Sequence, residues 1–375
     1  MVLLFHINGY HLIIILSLLL IQSIEEKIVS QEFDNLFNSY QTFAIYNTNP
    51  YHGVNFIINM GLNYTWREIT FNPVKTENVE IKHNFTIDSI KVYGEVSNCD
   101  FKFMPADITI PNFYFYYSYA NKKTSRASIG LTSHFDNEDF SIVHQLKKNN
   151  IIDRASFGFG EIIENRGRLF FGGIPSKHIQ NKEMGSCKIS QGYMTWGCSL
   201  LQVSTDKFIY NNKKGYAYFD SNIKRIIAPN EFMKEMEAKL FKEYLNEGIC
   251  EYLEGGFTKS MECQCNRMKD FPNITFNFGT FEITLNQTQL FSSIFRLCFF
   301  NIEAHNESNW VIGNSFFSQF YSLFDYEDNT VTFYADKTQM RSFSQKSSNN
   351  MLKHIMIYNS IILLVSIIFT LITKY

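Results

Sequence analysis

Two apolar runs in this chain end on an Asx residue followed by turn-forming residues: Phe56-Ile-Ile-Asn59-Met-Gly61 and Tyr218-Phe-Asp220-Ser-Asn222. The second supplies an acid. Gly215-Tyr-Ala-Tyr-Phe carries Asp220 to the end of an apolar stretch, and Ser221-Asn222 signals a turn. Ile226-Ile-Ala then resumes the apolar run and Pro229 stops it. A carboxylate among apolar strand residues is costly to bury unless it is hydrogen-bonded or put to use. Two chemistries fit: a structural carboxylate held by hydrogen bonds, or a general acid or base at a strand end. The first run offers only an amide at the matching place, and an amide neither takes nor gives a proton at any working pH.

The surrounding elements repeat as well. Tyr40 to Trp66 reads as a β-hairpin, with Phe43-Ala-Ile-Tyr and Val54-Asn-Phe-Ile-Ile58 as arms and Asn-Pro50 and His-Gly53 in the turn. Each strand–turn unit is answered later by a strand ending in glycine: Ala127-Ser-Ile-Gly130 for the first, Trp310-Val-Ile-Gly313 for the second. This internal repeat at half-chain scale predicts two related lobes, residues 24–182 and 183–340. Between the units, Asp139 to Asn149 reads as a short helix, and Phe157-Gly-Phe159 followed by Gly167-Arg-Leu-Phe-Phe-Gly-Gly173 reads as strand, turn, strand. The clearest helix follows Pro229. Asn230 is its expected N-cap, Phe232, Met236, Leu240 and Tyr244 form its packing face, and it ends near Gly248.

Abundant Phe and Tyr, with Val, Ile and Thr in short alternating runs, argue for a mostly β body. A formal net charge of −2 and the lack of a basic stripe exclude nucleic acid as a natural partner. Residues 12–21 form an apolar run too short to span a bilayer, followed by Gln22-Ser23 and charge, as in a secretory signal over residues 1–23. At the other end, Ile355 to Ile372 is apolar behind a small-polar segment, 341–354. It fits either a membrane-spanning helix or a GPI-type lipid-anchor signal. Both readings place the body on a membrane, at the cell surface or facing a secretory lumen. Five sequons accord with that route, at Asn63, Asn84, Asn273, Asn286 and Asn306. Seven cysteines in an oxidising compartment pair as disulfides and leave at least one over. Cys263-Gln-Cys265 has no cluster of His and Cys nearby, so a disulfide role is expected there and no metal; no cofactor is expected either.

Taken in order, these segments resemble the pepsin-like family of two-lobed aspartic proteases over nearly the whole chain after residue 23. Phe219-Asp220-Ser221-Asn222 with Ile226-Ile-Ala-Pro229 is similar to that family's second catalytic loop. Tyr40 to Trp66 is similar to its first, with Pro50 at the turn proline and Trp66 at the Trp after the loop. Ile90-Lys-Val-Tyr93-Gly94-Glu-Val-Ser97 resembles the substrate flap, which makes Tyr93 the flap tyrosine. Trp310-Val-Ile-Gly-Asn-Ser-Phe-Phe through Phe324-Asp-Tyr326 resembles the C-terminal signature. The resemblance implies a bilobal β fold with a central cleft and a second-lobe disulfide from Cys298 to Cys263 or Cys265. It also implies peptide-bond hydrolysis by two carboxylates that share one proton, since like charges about 3 Å apart cannot both ionise.

Asn59 stands where the resemblance requires the first carboxylate. Its supporting positions change as well: Met60 replaces a Thr, Leu62 and Ile223 replace hydroxyl donors, and Asn222 replaces a Gly. A positioned general acid or base is worth about 10²–10⁴ in rate, and half of a coupled pair is missing here. The expectation is therefore a membrane-anchored, noncatalytic protease homologue that binds a peptide or protein in its cleft. An acid endopeptidase using Asp220 with a rearranged partner is the alternative, and a glycosylated surface-coat protein is the second.

Overall fold

The computed structural model describes residues 27–336 except 37–38, 47–53, 60–65, 70–78, 88–89, 105–107, 120–126, 134–137, 164–165, 190–194, 222, 254–259, 295 and 306–308. The expected signal, polar stalk and C-terminal apolar segment lie outside the described residues. No described helix is long and apolar enough to cross a membrane.

The body is mostly β, as its aromatic and β-branched runs require. In the first half the strand Val54–Asn59 runs parallel to Ala127–Gly130, which runs antiparallel to Trp66–Ile69, which in turn runs parallel to Ile108–Tyr119. In the second half Tyr216–Phe219 runs parallel to Trp310–Ile312, which runs antiparallel to Ile226–Pro229, which runs parallel to Ile302–His305. Strand order and direction are the same in both quartets, so the repeat legible in the sequence is a repeat of topology.

The registers agree too. Ile58 faces Ile129 and Phe219 faces Ile312, Trp66 faces Ser128 and Ile227 faces Val311, and Trp66 faces Tyr116 as Ile227 faces Glu303. Counting along these ladders, Asn59 and Asp220 occupy corresponding positions, one residue beyond the Ile58 and Phe219 pairs.

Strands from both ends of the chain join the halves. The order Ile179–Lys188, Thr330–Asp336, Tyr321–Asp325, Ser156–Ile163, Arg166–Phe171, Val29–Leu36 forms one antiparallel run within the large sheet. The divide drawn from the sequence at 182/183 therefore passes through a strand of this shared sheet.

Alternation explains how the shared sheet packs on both faces. Phe157, Phe159 and Phe324 are fully buried on one face, where Phe157 stacks on Phe324 at 4.9 Å and meets Trp196 edge-on at 5.5 Å. Each such ring contributes about 1.5–3 kcal/mol through burial. On the opposite face Gly160 lies under the Tyr321 ring: a Cβ there would fall 1.9 Å from Tyr321 Cδ1, so the ring occupies the space that a side chain would need.

The segment after Pro229 is helical from Asn230 to Asn246, with a widened turn at Glu237–Phe241, and ends before Gly248 as expected. Phe232, Met236 and Leu240 are buried, and Phe232 packs on Trp310 at 4.7 Å. The expected cap is corrected: Pro229, extended at ψ 144°, takes the N-cap position and Asn230 is the first helical residue. The cause is the parallel ladder, which holds the chain extended through Pro229, opposite His305. The short helix expected over 139–149 is a 3₁₀ turn at Glu138–Phe140 followed by Ile142–Lys148, N-capped by Ser141.

Candidate active site

Asp220 leaves the end of the Tyr216–Phe219 strand half-buried, between Phe219, 1% exposed, and the fully buried Ser221. Its backbone N–H donates to the Ile312 carbonyl at 3.0 Å, so the ladder extends one bond past the strand and fixes where the carboxylate begins. The turn that follows is held by a bond of its own and by the first residues of the helix Asn314–Phe317, which follows the partner strand. Ile223 N–H donates to the Asp220 carbonyl (3.3 Å), Asn314 N–H to the Ile223 carbonyl (2.7 Å) and Ser315 N–H to the Lys224 carbonyl (2.8 Å). Gly313 is required by this approach. A Cβ at 313 would lie 2.3 Å from both the Ile223 and Arg225 carbonyl oxygens, which are backbone atoms that cannot swing aside.

The exit of the loop is clamped by charge. Arg225 Nη1 donates to Glu303 Oε1, with both side chains largely buried (13% and 18% exposed), and the guanidinium lies over the Phe299 ring at 5.9 Å. Nothing in the sequence marks this pair: the two residues are 78 apart and meet only because the parallel ladder sets Ile227 opposite Glu303. A turn tied by backbone bonds on one side and by a buried ion pair on the other is a rigid mount for one carboxylate.

In the first half Asn59 ends its strand opposite Gly130. Tyr93 stands on the Ile90–Met104 strand, opposite Asn84 of Val79–Ile87, so it belongs to a hairpin arm at the edge of the large sheet. Met60, Leu62 and Asn222 lie outside the described residues. The backbone just past Gly130 receives two donors from the other half: Trp196 Nε1–H donates to the Leu131 carbonyl at 2.6 Å, and the Tyr326 hydroxyl donates to the Thr132 carbonyl at 2.9 Å. Sequence reading passed over Trp196, whose isolated position in the chain carries no periodic signal.

The family described as Eukaryotic aspartyl protease matches residues 106–335. That is more than half of the chain. The chain belongs to the eukaryotic aspartyl protease family. Its pepsin-like resemblance is thus a family membership, and the mostly β body with matched quartets accords with the family's fold. Among curated relatives, plasmepsin I from two isolates of Plasmodium falciparum is 27% identical over 209 residues, which is 53% of this chain and 42% of each relative. The matching stretch thus spans less than half the length of those relatives. The family match includes Asp220 and the Trp310–Tyr326 signature, whereas Asn59 and Tyr93 precede its first residue.

Six of the seven cysteines form three disulfides: Cys187–Cys198, Cys250–Cys263 and Cys265–Cys298. The choice left open for Cys298 therefore falls on Cys265, because Cys263 is taken by Cys250 of the neighbouring strand. Both sulfurs of Cys263-Gln-Cys265 are thereby withdrawn from metal chemistry, and no group of three or more metal-ligating side chains occurs among the described residues. Of the sequon asparagines, Asn273 and Asn286 are exposed, Asn84 lies in a strand, and Asn63 and Asn306 lie outside the described residues.

A cavity of about 750 Å³ lies away from the Asp220 loop, lined by His144, Lys147, Tyr326 and Glu327 among others. His144 Nδ1 meets Ser141 Oγ at 2.8 Å, and burial pushes its pKa down. Glu327 accepts from Lys147 Nζ and from Ala155 N–H, each at 2.7 Å, and these bonds hold its carboxyl below the usual range. Burial raises the Tyr326 phenol far above its ordinary pKa, which keeps it a hydrogen-bond donor. Lys147, Tyr326 and Glu327 at this cavity are already engaged in bonds that join the halves.

Proposed function

We propose that this chain is a membrane-anchored aspartic protease homologue of the secretory pathway or cell surface, without proteolytic activity, which holds a peptide or protein segment in its cleft. The observation that carries this reading is the common register of the two quartets: Asn59 stands in the first half where Asp220 stands in the second. Acid–base chemistry by a shared-proton pair needs a carboxylate at both places. The retained family fold, the rigid mount of Asp220 and the hairpin carrying Tyr93 leave a peptide-binding site with one half of its proton-transfer pair missing.

Membrane attachment is supported by the apolar segments at 12–21 and 355–372. Family membership and the retained Asp220 favour acid endopeptidase activity as the competing reading, and the sequons favour a surface-coat glycoprotein. Two measurements separate them. The full chain, purified from membranes in detergent, is exposed to a degenerate peptide library at about pH 4.5 and about pH 7, below and above the carboxylate range, and retained peptides are identified by mass. Recovery of intact peptides, lost on Tyr93→Ala, is the expected result; no retention at either pH refutes cleft binding. Phospholipase treatment of intact membranes distinguishes a released lipid-anchored form from a spanning helix that stays put.

A further inference from the structure

The strands Ile274–Asn277 and Glu282–Leu285 pair antiparallel with Ile274 opposite Leu285 and Thr275 opposite Thr284. One step further along the same register sets Asn273 opposite Asn286. The ladder alternates: Ile274, Phe276, Ile283 and Leu285 are buried, while Thr275 and Thr284 face outward with their hydroxyls 2.9 Å apart. Asn273 and Asn286 lie two residues along from those threonines, on the same outer face, and both are exposed. Each begins a sequon, Asn273-Ile-Thr275 and Asn286-Gln-Thr288. Two acceptor asparagines well separated in sequence therefore stand side by side at one end of a hairpin.

The geometry at Asn286 separates its two side-chain atoms by role. Oδ1 accepts from Thr288 N–H (3.0 Å) and from the Thr288 hydroxyl (2.7 Å), while Gln289 Oε1 accepts from Asn286 N–H (3.0 Å), which closes a capping box on the helix Gln287–Leu290. The cap uses Oδ1 alone. A sugar on Nδ2 leaves every one of these bonds in place, so modification and folding make no competing demand on the residue.

We infer that Asn273 and Asn286 both carry N-linked oligosaccharides, a pair that shields the outer face of this sheet. The sheet continues from Thr275 to Ser204 and then to Ile209, an apolar side chain that is 63% exposed. In the transfer, Nδ2 attacks C1 of a lipid-diphosphate-linked oligosaccharide. The Nδ2–C1 bond forms, the bond from C1 to the diphosphate oxygen breaks, the lipid diphosphate leaves with the electron pair, and the amide gives up one proton. The inference rests on the secretory routing proposed above.

The test expresses the full chain in a eukaryotic secretory host and treats detergent-solubilised, denatured membranes with peptide N-glycosidase in ¹⁸O-water, which converts each glycosylated Asn to ¹⁸O-labelled Asp. Labelled peptides at both 273 and 286 are expected. Asn273→Asp and Asn286→Asp should each remove one glycan step from the gel mobility; the second keeps a carboxylate to cap the helix, so the amount of chain recovered in the membranes should be unchanged. An unlabelled asparagine at either position overturns the paired shield. Protection from added protease in a portion of the membranes left intact then tells whether the routing falls with it: a protected chain that stays unlabelled after solubilisation refutes this inference alone.

Discussion

The noncatalytic reading proposed above turns on residue 59, where an amide stands in the first quartet at the place that Asp220 takes in the second. The residues around Asp220 are organised as if its position still mattered. Its mount includes the buried Arg225–Glu303 pair, and removal of one partner strands a charge in a site with little water. Glu303→Ala should therefore destabilise the fold by about 3–5 kcal/mol, whereas the double change Arg225→Met with Glu303→Leu should cost far less. Urea unfolding of the native chain and both variants checks this, and equal losses for single and double variants would contradict it. A second residue-scale prediction concerns acid. The Glu327 carboxyl and the His144 imidazole both have folded pKa values lowered from their ordinary ones. Each therefore contributes stability that is present above its unfolded pKa and is lost as pH falls through its folded value. The urea midpoint should fall as pH drops below the ordinary His range and then through the carboxylate range, and Glu327→Gln should flatten the more acidic part. A midpoint that rises on acidification would refute the assignment.

At the scale of elements, the Cys265–Cys298 disulfide ties the strand Leu297–Phe300 to the turn after Ser260–Gln264 and closes a loop with a sequence separation of 33. Replacing both cysteines by serine should cost about 3–4 kcal/mol through the freed unfolded chain, measured as a loss of denaturation midpoint. An unchanged midpoint would show that the loop is already constrained by its ladder. Elements were also what the sequence disclosed best. Apolar runs ending in Asx and answered by glycine-ended strands marked the parallel pair at the centre of each quartet, because period-2 burial and turn residues are local signals, whereas the outer pairings of Ile108–Tyr119 and Ile302–His305 carried no such mark. The choice among cysteines stayed open, since Cys263 faces both Cys250 and Cys298 across its ladders and only the built sheet decides between them. The N-cap was misplaced for a similar reason: Asn230 has the right chemistry, but a long-range parallel pairing extends the strand one residue beyond what local propensity shows. Arg225–Glu303 and Trp196–Leu131 left no trace in the sequence, because each contact exists only after distant strands align.

For the whole molecule, the two halves are repeats in topology and are bound through a sheet that uses strands from both chain ends, with aromatic rings from both halves in one core. The buried Phe, Trp and Tyr residues that stabilise the fold carry no acid–base chemistry, so the noncatalytic reading proposed above asks for no change in that packing. The most direct test is an acid digest of denatured protein substrate by the purified chain, run beside Asn59→Asp, Asp220→Ala and the double variant. No cleavage above background by the native chain is expected, while Asn59→Asp should gain whatever activity the altered supporting positions allow. Cleavage by the native chain that disappears with Asp220→Ala would contradict the account and return the protein to the working proteases.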